Sequence, residues 1–359
     1  MTPTKEQVLN ALRTCQEPEL NQDIVSLNMV QNLEVEGGRV SFEYVLTTPA
    51  CPLKGMMELE AREAVMKVPG VTEVKIGMTA AVRKDVRLER LVPSGIKNVI
   101  AVGSGKGGVG KSTVACNLAV SLALDGAKVG LMDADVYGPN QPQMMGVSDF
   151  EPQPHPDNKI DPAEAYGVKV FSMGFLMEAD QPVIWRGPML HSAVTQFLRD
   201  VNWGELDYLV VDLPPGTGDV QLSLCQSVPL VGAVIVTTPQ SIAVSDVRKA
   251  VAMFHKLNVP ILGIVENMAE FACPHCGKIS EIFSRGGAEA LVKRHKVPLL
   301  GKVPLDPSVC ETGETGKPAV VSRPDGAPAK AFRTLARQVA AAVSIQLASN
   351  KPLEIQTIK

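Results

Sequence analysis

Two spacings of apolar positions divide the chain. From residue 98 onward, short, mainly apolar runs fall at 99–102, 129–133, 168–173, 209–212, 233–237 and 261–266. Between and after them lie stretches where apolar residues recur every three or four positions, at 111–124, 189–199, 220–228, 244–257, 288–293 and 329–347. The first pattern is that of strands buried on both faces, and the second that of helices packed on one side. Their alternation predicts an α/β fold with a doubly wound, mostly parallel sheet, ligands meeting it at the carboxyl ends of the strands. Residues 1–85 read as a small α/β domain: a helix over 5–14, strands over 30–36 and 40–47 turning at Gly37-Gly38, a helix over 53–68, and a strand over 71–77. Residues 86–97 mix charge with Pro93 and Gly95 and predict a linker. The main domain is expected over 98–348 and a tail over 349–359. The proline-rich stretch 149–162 is expected to be a mobile loop.

Composition narrows the function classes. Aromatics are only 4% of the 359 residues, so aliphatic side chains must fill the core. A net charge of -3 offers no strong overall field for nucleic acid or an anionic membrane, and neither is expected as a partner. No apolar run reaches the length of a membrane span, and the first residues lack the apolar core of a secretory signal. Seven cysteines, an odd number scattered over a long chain, do not form a disulfide framework, and a reducing cytoplasm is expected.

The chemistry gathers at the predicted strand ends. Gly105 to Ser112 fits G-x-x-x-x-G-K-[ST] residue for residue, between an apolar strand and a helix, which is the context a phosphate loop requires. Gly105, Gly107, Gly108 and Gly110, with Val109 between them, let successive N–H groups face a phosphate at a helix N-terminus. Lys111 would reach the β- and γ-phosphates of ATP, Ser112 would ligate Mg²⁺, and Thr113 closes the motif. The fold class is therefore that of a P-loop NTPase. Asp133 and Asp135, one residue apart at a strand end, can serve a metal and a water. Asp212 closes another strand in the Walker-B manner, its carboxylate held toward Mg²⁺. Pro214-Pro215-Gly216 follows as a stiff turn whose Gly216 N–H could contact the γ-phosphate.

Cys273-Pro274-His275-Cys276 brings two thiolates to one point, and two do not complete a site. Zinc takes four ligands and cubane clusters normally four cysteines. Either distant Cys225 or Cys310 joins, or two copies of the chain face each other across a two-fold axis. A shared zinc ion, a thiol–disulfide pair and an inert pair are the competing readings. Cys51, between Pro49 and Pro52 in a stiff turn, is either a buried structural cysteine or an accessory thiol.

The second lysine of the loop, Lys106, makes K-G-G-V-G-K-S-T. This resembles the deviant Walker-A loop of partition and septum-positioning ATPases, nitrogenase iron protein and Mrp/ApbC carriers. That resemblance implies a homodimer in which Lys106 reaches the partner's nucleotide, and in which Asp135 activates the attacking water and Asp133 supports the Mg²⁺ shell. It also implies that Asn267 and the Pro304-Leu305-Asp306 loop flank the adenine base. The runs Asp133 to Asn140, Trp185-Arg186-Gly187-Pro188-Met189, Pro214 to Asp219 and Glu266 through Gly277 are similar to the Mrp/ApbC family of ATP-dependent iron–sulfur cluster carriers. Membership implies a labile [4Fe–4S] cluster on Cys273 and Cys276 of two chains, passed between scaffold proteins and apo iron–sulfur proteins. Glu314 stands where that family usually has aspartate. Glu17-Pro18-Glu19 and Cys51 resemble the SufT-type assembly domain, with Glu17 replacing an aspartate, and imply a functional role for Cys51. The rival reading is a positioning ATPase that binds DNA, membrane or a protein partner, with a structural zinc at the cysteine pair. The polar face of the last helix, bearing Lys330, Arg333 and Arg337, is only modestly basic for that task.

Overall fold

The computed structural model describes residues 2–90, 95–176, 187–273, 275–283 and 286–349. It divides into two compact units, Met1–Arg83 with the residues from Ser344 on, and Lys84–Val343.

In the first unit, α1 (Lys5–Leu12) starts on a capping box between Thr4 and Gln7, which satisfies donors the first turn leaves free. A two-residue ladder, β1 (Gln16–Glu17) with β2 (Gln22–Asp23), precedes the sheet. β3 (Val30–Glu36) and β4 (Arg39–Leu46) form the expected hairpin, turning at Gly37 with φ 62. Along β4 the buried positions alternate as Val40, Phe42, Tyr44 and Leu46, the period of a sheet with one covered face. α2 (Lys54–Met66) covers that face with Met57, Ala61 and Val65, and β5 (Glu73–Ala80) pairs in parallel with β4.

The second unit follows the α/β pattern. Its elements run β6 (Val99–Ser104), α3 (Lys111–Leu124), β7 (Val129–Asp133), α4 (Gln141–Met144), β8 (Gln153–His155), β9 (Lys159–Asp161), β10 (Ala163–Ala165), β11 (Val168–Ser172), α5 (Gly187–Asp200), β12 (Tyr208–Asp212), α6 (Asp219–Ser227), β13 (Gly232–Thr237), α7 (Ser241–Lys256), β14 (Ile261–Ala272), β15 (Ile279–Ser280), α8 (Gly287–His295), β16 (Leu299–Leu305), α9 (Pro307–Glu314), α10 (Ala319–Ser322) and the first part of α11 (Ala327–Ser349). Among the described residues the sheet has nine strands. The parallel order is β11-β7-β12-β6-β13-β14-β16, with β10 antiparallel beyond β11 and β15 antiparallel on the far end of β14. The central strand β6 is buried at every position, as a strand covered on both faces must be. α3 is apolar nearly all round, from Val114 to Leu122, and is buried accordingly.

Two expectations are corrected, and one strand is added. The segment read as a linker belongs, in its described residues, to the second unit: Leu88 and Ile96 are fully buried in its core, and Arg87 donates to the Leu230 carbonyl at 2.8 Å. The proline-rich stretch is not a loop. β8 and β9 pair across a turn at Asn158, where φ is 56, and Asn202 donates to the Ile160 carbonyl at 2.8 Å. The last strand, β16, was not anticipated, because Gly301, Lys302 and Pro304 interrupt its apolar run. Of the basic residues on α11, Arg333 and Arg337 hold Asp125 at the end of α3, at 3.3 and 2.9 Å. The tail beyond Ser349 and the Trp185-Arg186 pair lie outside the described residues.

Leu88→Ala should destabilise the second unit by about 2–5 kcal/mol, the usual penalty for emptying a buried leucine site. Denaturant unfolding checks this, and a change near zero would restore the linker reading.

Candidate functional site

β6 delivers the chain into the P-loop at Ser104. The loop is held so closely that a Cβ at Gly105 would lie 2.4 Å from the Asp246 carbonyl carbon on α7. Gly110 adopts φ 80 against the amide of Asn267, a conformation and a gap that glycine alone suits. Lys111 then opens α3 and is buried. Its ammonium meets Asp212 at the end of β12 and, at 3.3 Å, Asp135 just past β7. Burial pulls the Lys111 pKa down, but Asp212, Asp135 and Asp133 outweigh it and leave the lysine raised and charged.

Asp133 closes β7 and is fully buried. It accepts from the Asp135 N–H at 3.1 Å, the Gln141 N–H at 3.1 Å and the Ser172 hydroxyl at 3.0 Å. Burial, and then the Asp212 charge, push its pKa up to about 8. Burial also raises Asp135, against the pull of Lys111. Three carboxylates thus face one ammonium. With the Ser112 hydroxyl beside them, this all-oxygen, anion-rich donor set fits a hard divalent cation such as Mg²⁺.

Beside the loop, a cavity of about 440 Å³ is lined by Gly110, Thr113, Asn267, Met268, Pro304 and Asp306, among others. The residues assigned to the base side therefore share one wall. Asn267 donates to the Val109 carbonyl at 2.9 Å, and the Asp306 carboxylate caps α9 through the Ser308 N–H at 2.9 Å.

β14 does not stop at Asn267. After Met268, in the left-handed region at φ 56, it runs on to Ala272 and forms a hairpin with β15. Cys273 and Cys276 occupy the tip of that hairpin. Gly277 donates to the Cys273 carbonyl at 2.8 Å and Cys273 to that of Lys278 at 3.0 Å. The N–H groups of His275 and Cys276 turn toward the Cys273 sulfur and hold its thiol below the ordinary value of 9.0. Cys276 is exposed. Cys225 is buried in the core, its thiol pushed up to about 12, and Cys310 lines the base-side cavity. Among the described residues, no third His, Cys, Asp or Glu joins Cys273 and Cys276 to hold a metal ion.

A family model for the NUBPL iron-transfer P-loop NTPases matches residues 95–340. The chain belongs to that family. A second model, for iron–sulfur cluster assembly proteins, matches residues 5–76. An iron-sulfur cluster carrier protein of Deinococcus radiodurans is 50% identical over 98% of this chain and 99% of its own. One of Synechocystis is also 50% identical, over 95% of this chain and 98% of its own. Among solved structures, the nucleotide-binding protein of Archaeoglobus fulgidus in complex with ADP is 40% identical, with a TM-score of 0.57 over 64% of this chain and 89% of that one.

In this iron-transfer NTPase the structure brings Lys111, Ser112, Asp133, Asp135 and Asp212 together, as the motifs require. It leaves two predicted groups apart. Lys106 is half-exposed and has no ion pair among the described residues. The Gly216 N–H donates to the Ser104 carbonyl at 3.1 Å, so in this arrangement it is not turned toward a phosphate. Cys116, on α3, is buried and its thiol is pushed far up by burial. Cys51 lies in the other unit, half-buried, with its sulfur 3.9 Å from that of Met57. Burial and the carboxylates of Glu19 and Glu17 raise its thiol, so it is not poised as a thiolate. Gln141 and Ser172 join the site without any motif to announce them. The one available signal was their position at the ends of elements that meet at the P-loop.

In metal-free protein, alkylation of Cys273 should rise with pH through an inflection below 9.0. Mass-spectrometric rates across pH check this; an inflection at or above that value would contradict the aimed N–H groups.

Proposed function

We propose that this NTPase is an ATP-hydrolysing iron–sulfur cluster carrier whose cargo is held between two copies of the chain. The observation that carries the reading is the half-site: two cysteines at an exposed hairpin tip, with no third ligand near them among the described residues. Two such tips related by a two-fold axis supply four thiolates, the complement a [4Fe–4S] cargo takes. Ile279 and Ile282, 58% and 54% exposed, leave apolar surface beside the tip that a second copy would cover.

The nucleotide side follows from the same residues. ATP would lay its phosphates on the N–H groups from Gly105 to Thr113 and its base in the cavity beside Asn267, Pro304 and Asp306. Lys111 would exchange Asp212 and Asp135 for the β- and γ-phosphates, which frees both carboxylates. Ser112 and Asp212, backed by Asp133, would hold Mg²⁺, which when bound screens the charge that builds on the phosphate oxygens. Asp135 would then orient the attacking water. Lys106, which has no ion pair among the described residues, would reach the nucleotide of the other chain. Gly216 would turn its N–H from Ser104 to the γ-phosphate, an order–disorder type of switch. Recipients are apo iron–sulfur proteins, and donors are scaffold proteins. The positioning-ATPase reading is not favoured, since the matching family is one of iron transfer and two of the three basic residues of α11 are paired with Asp125.

The test is anaerobic reconstitution with iron and sulfide, read by Mössbauer spectroscopy and light scattering, followed by transfer to an apo-enzyme. A [4Fe–4S] signal on a dimer is expected. Cys273→Ala and Cys276→Ala should each abolish it and leave ATP binding unchanged. Full loading of a monomer, or of either variant, would refute the proposal.

A further inference from the structure

Gln141 is the first residue of α4 and has no accessible surface. It is hydrogen-bonded to the P-loop helix and to the ends of both β7 and β12. Its backbone N–H donates to Asp133. Its side-chain Nε2 donates at 3.0 Å to the Ser112 carbonyl and at 2.9 Å to Asp212 Oδ2. Both of those partners accept only, so the amide cannot be turned over: its oxygen would then face two oxygens. The orientation is fixed by the neighbours, and it leaves Oε1 buried without a donor among the described residues.

Buried amide oxygens as a rule have partners, in protein or in water. Oε1 is one carbon from an atom bonded to both the P-loop and the Walker-B aspartate. The group that site is built to take is a hydrated magnesium ion, which keeps several of its waters when it binds phosphates and one or two protein oxygens. Each of those waters is a strong donor.

We propose that Gln141 is an outer-sphere ligand of the nucleotide-bound Mg²⁺, its Oε1 accepting from a metal-bound water while its Nε2 holds Asp212 and the P-loop in place. This rests on the MgATP reading above. It adds a residue that no phosphate-loop motif contains, and it gives the segment after Asp135 a water-mediated grip on the metal. Outer-shell groups of this kind typically change metal affinity by about 10–100-fold when removed.

The experiment uses the full-length protein and a fluorescent ATP analogue, titrated in EDTA and then with Mg²⁺. In the native protein, Mg²⁺ should tighten nucleotide binding. Gln141→Leu, of similar size, should raise the half-saturating Mg²⁺ concentration at least about tenfold. Its affinity in EDTA should fall by less, so that the gain conferred by Mg²⁺ shrinks. Gln141→Asn keeps the amide but draws it back by one methylene, and should behave in the same way. An unchanged Mg²⁺ requirement in both variants would overturn the proposal. So would equal losses with and without Mg²⁺, which would make Gln141 part of the framework only. A native protein whose nucleotide affinity ignores Mg²⁺ would sink the MgATP reading first and this inference with it.

Discussion

The buried ammonium of Lys111 is the constraint on which the nucleotide end of the molecule depends. Three carboxylates come within its influence from the ends of two adjacent parallel strands, and burial makes Asp133 and Asp135 costly to ionise. Lys111 is what makes the cluster tolerable in this state. Its position is in turn dictated by the loop: Gly105 lets β6 pass against α7, and Gly110 lets the chain turn into α3 beside Asn267. A bulkier residue at either point would displace the lysine, and the carboxylates would face one another without it. The same arrangement suits the magnesium nucleotide proposed for the site. The ion can take over the neutralising role at Asp212 when the phosphates draw Lys111 away.

Much of this was legible because it is local. A phosphate loop, a Walker-B aspartate and a Cys-x-x-Cys each occupy a few consecutive residues, and their chemistry needs those types at those spacings. The parallel sheet was legible because its strands are buried on both faces and so are mainly apolar runs. What escaped was spatial. Gln141 sits in an unremarkable Asn-Gln-Pro, and its importance comes from β7, β12 and α3 converging on it. Leu88 and Ile96 lie in a charged, proline-containing stretch, yet they find the core because Ile96 pairs with Leu206 beside β12. β8 and β9 are too short and too polar to show alternation, and Pro154 sits in the first of them.

The cysteine pair shows both limits at once. The sequence establishes that each chain has too few thiols nearby for a closed metal site, but leaves Cys225 and Cys310 as candidates. Packing removes them: one is enclosed by core side chains and the other faces the base-side cavity. The hairpin then adds what spacing cannot express. It aims two backbone N–H groups at the Cys273 sulfur, which favours the thiolate that an iron centre requires.

The nucleotide and cargo ends are joined by one piece of backbone. β14 carries Asn267, bonded to the P-loop at Val109, and six residues later Cys273. At ~3.3 Å per residue that is a span of about 20 Å, paired with β16 at Asn267 and Phe271 and with β15 at Phe271 and Ala272. Its regularity fails at one place, between Asn267 and Phe271, where the register with β16 slips and Met268 is left-handed. A β-branched or bulky chain in that conformation stores strain, and methionine bears part of it. The irregularity thus sits beside the base-side cavity, at the root of the hairpin that bears the thiols. Any movement of the P-loop that shifts Val109 must be absorbed there or passed along the strand.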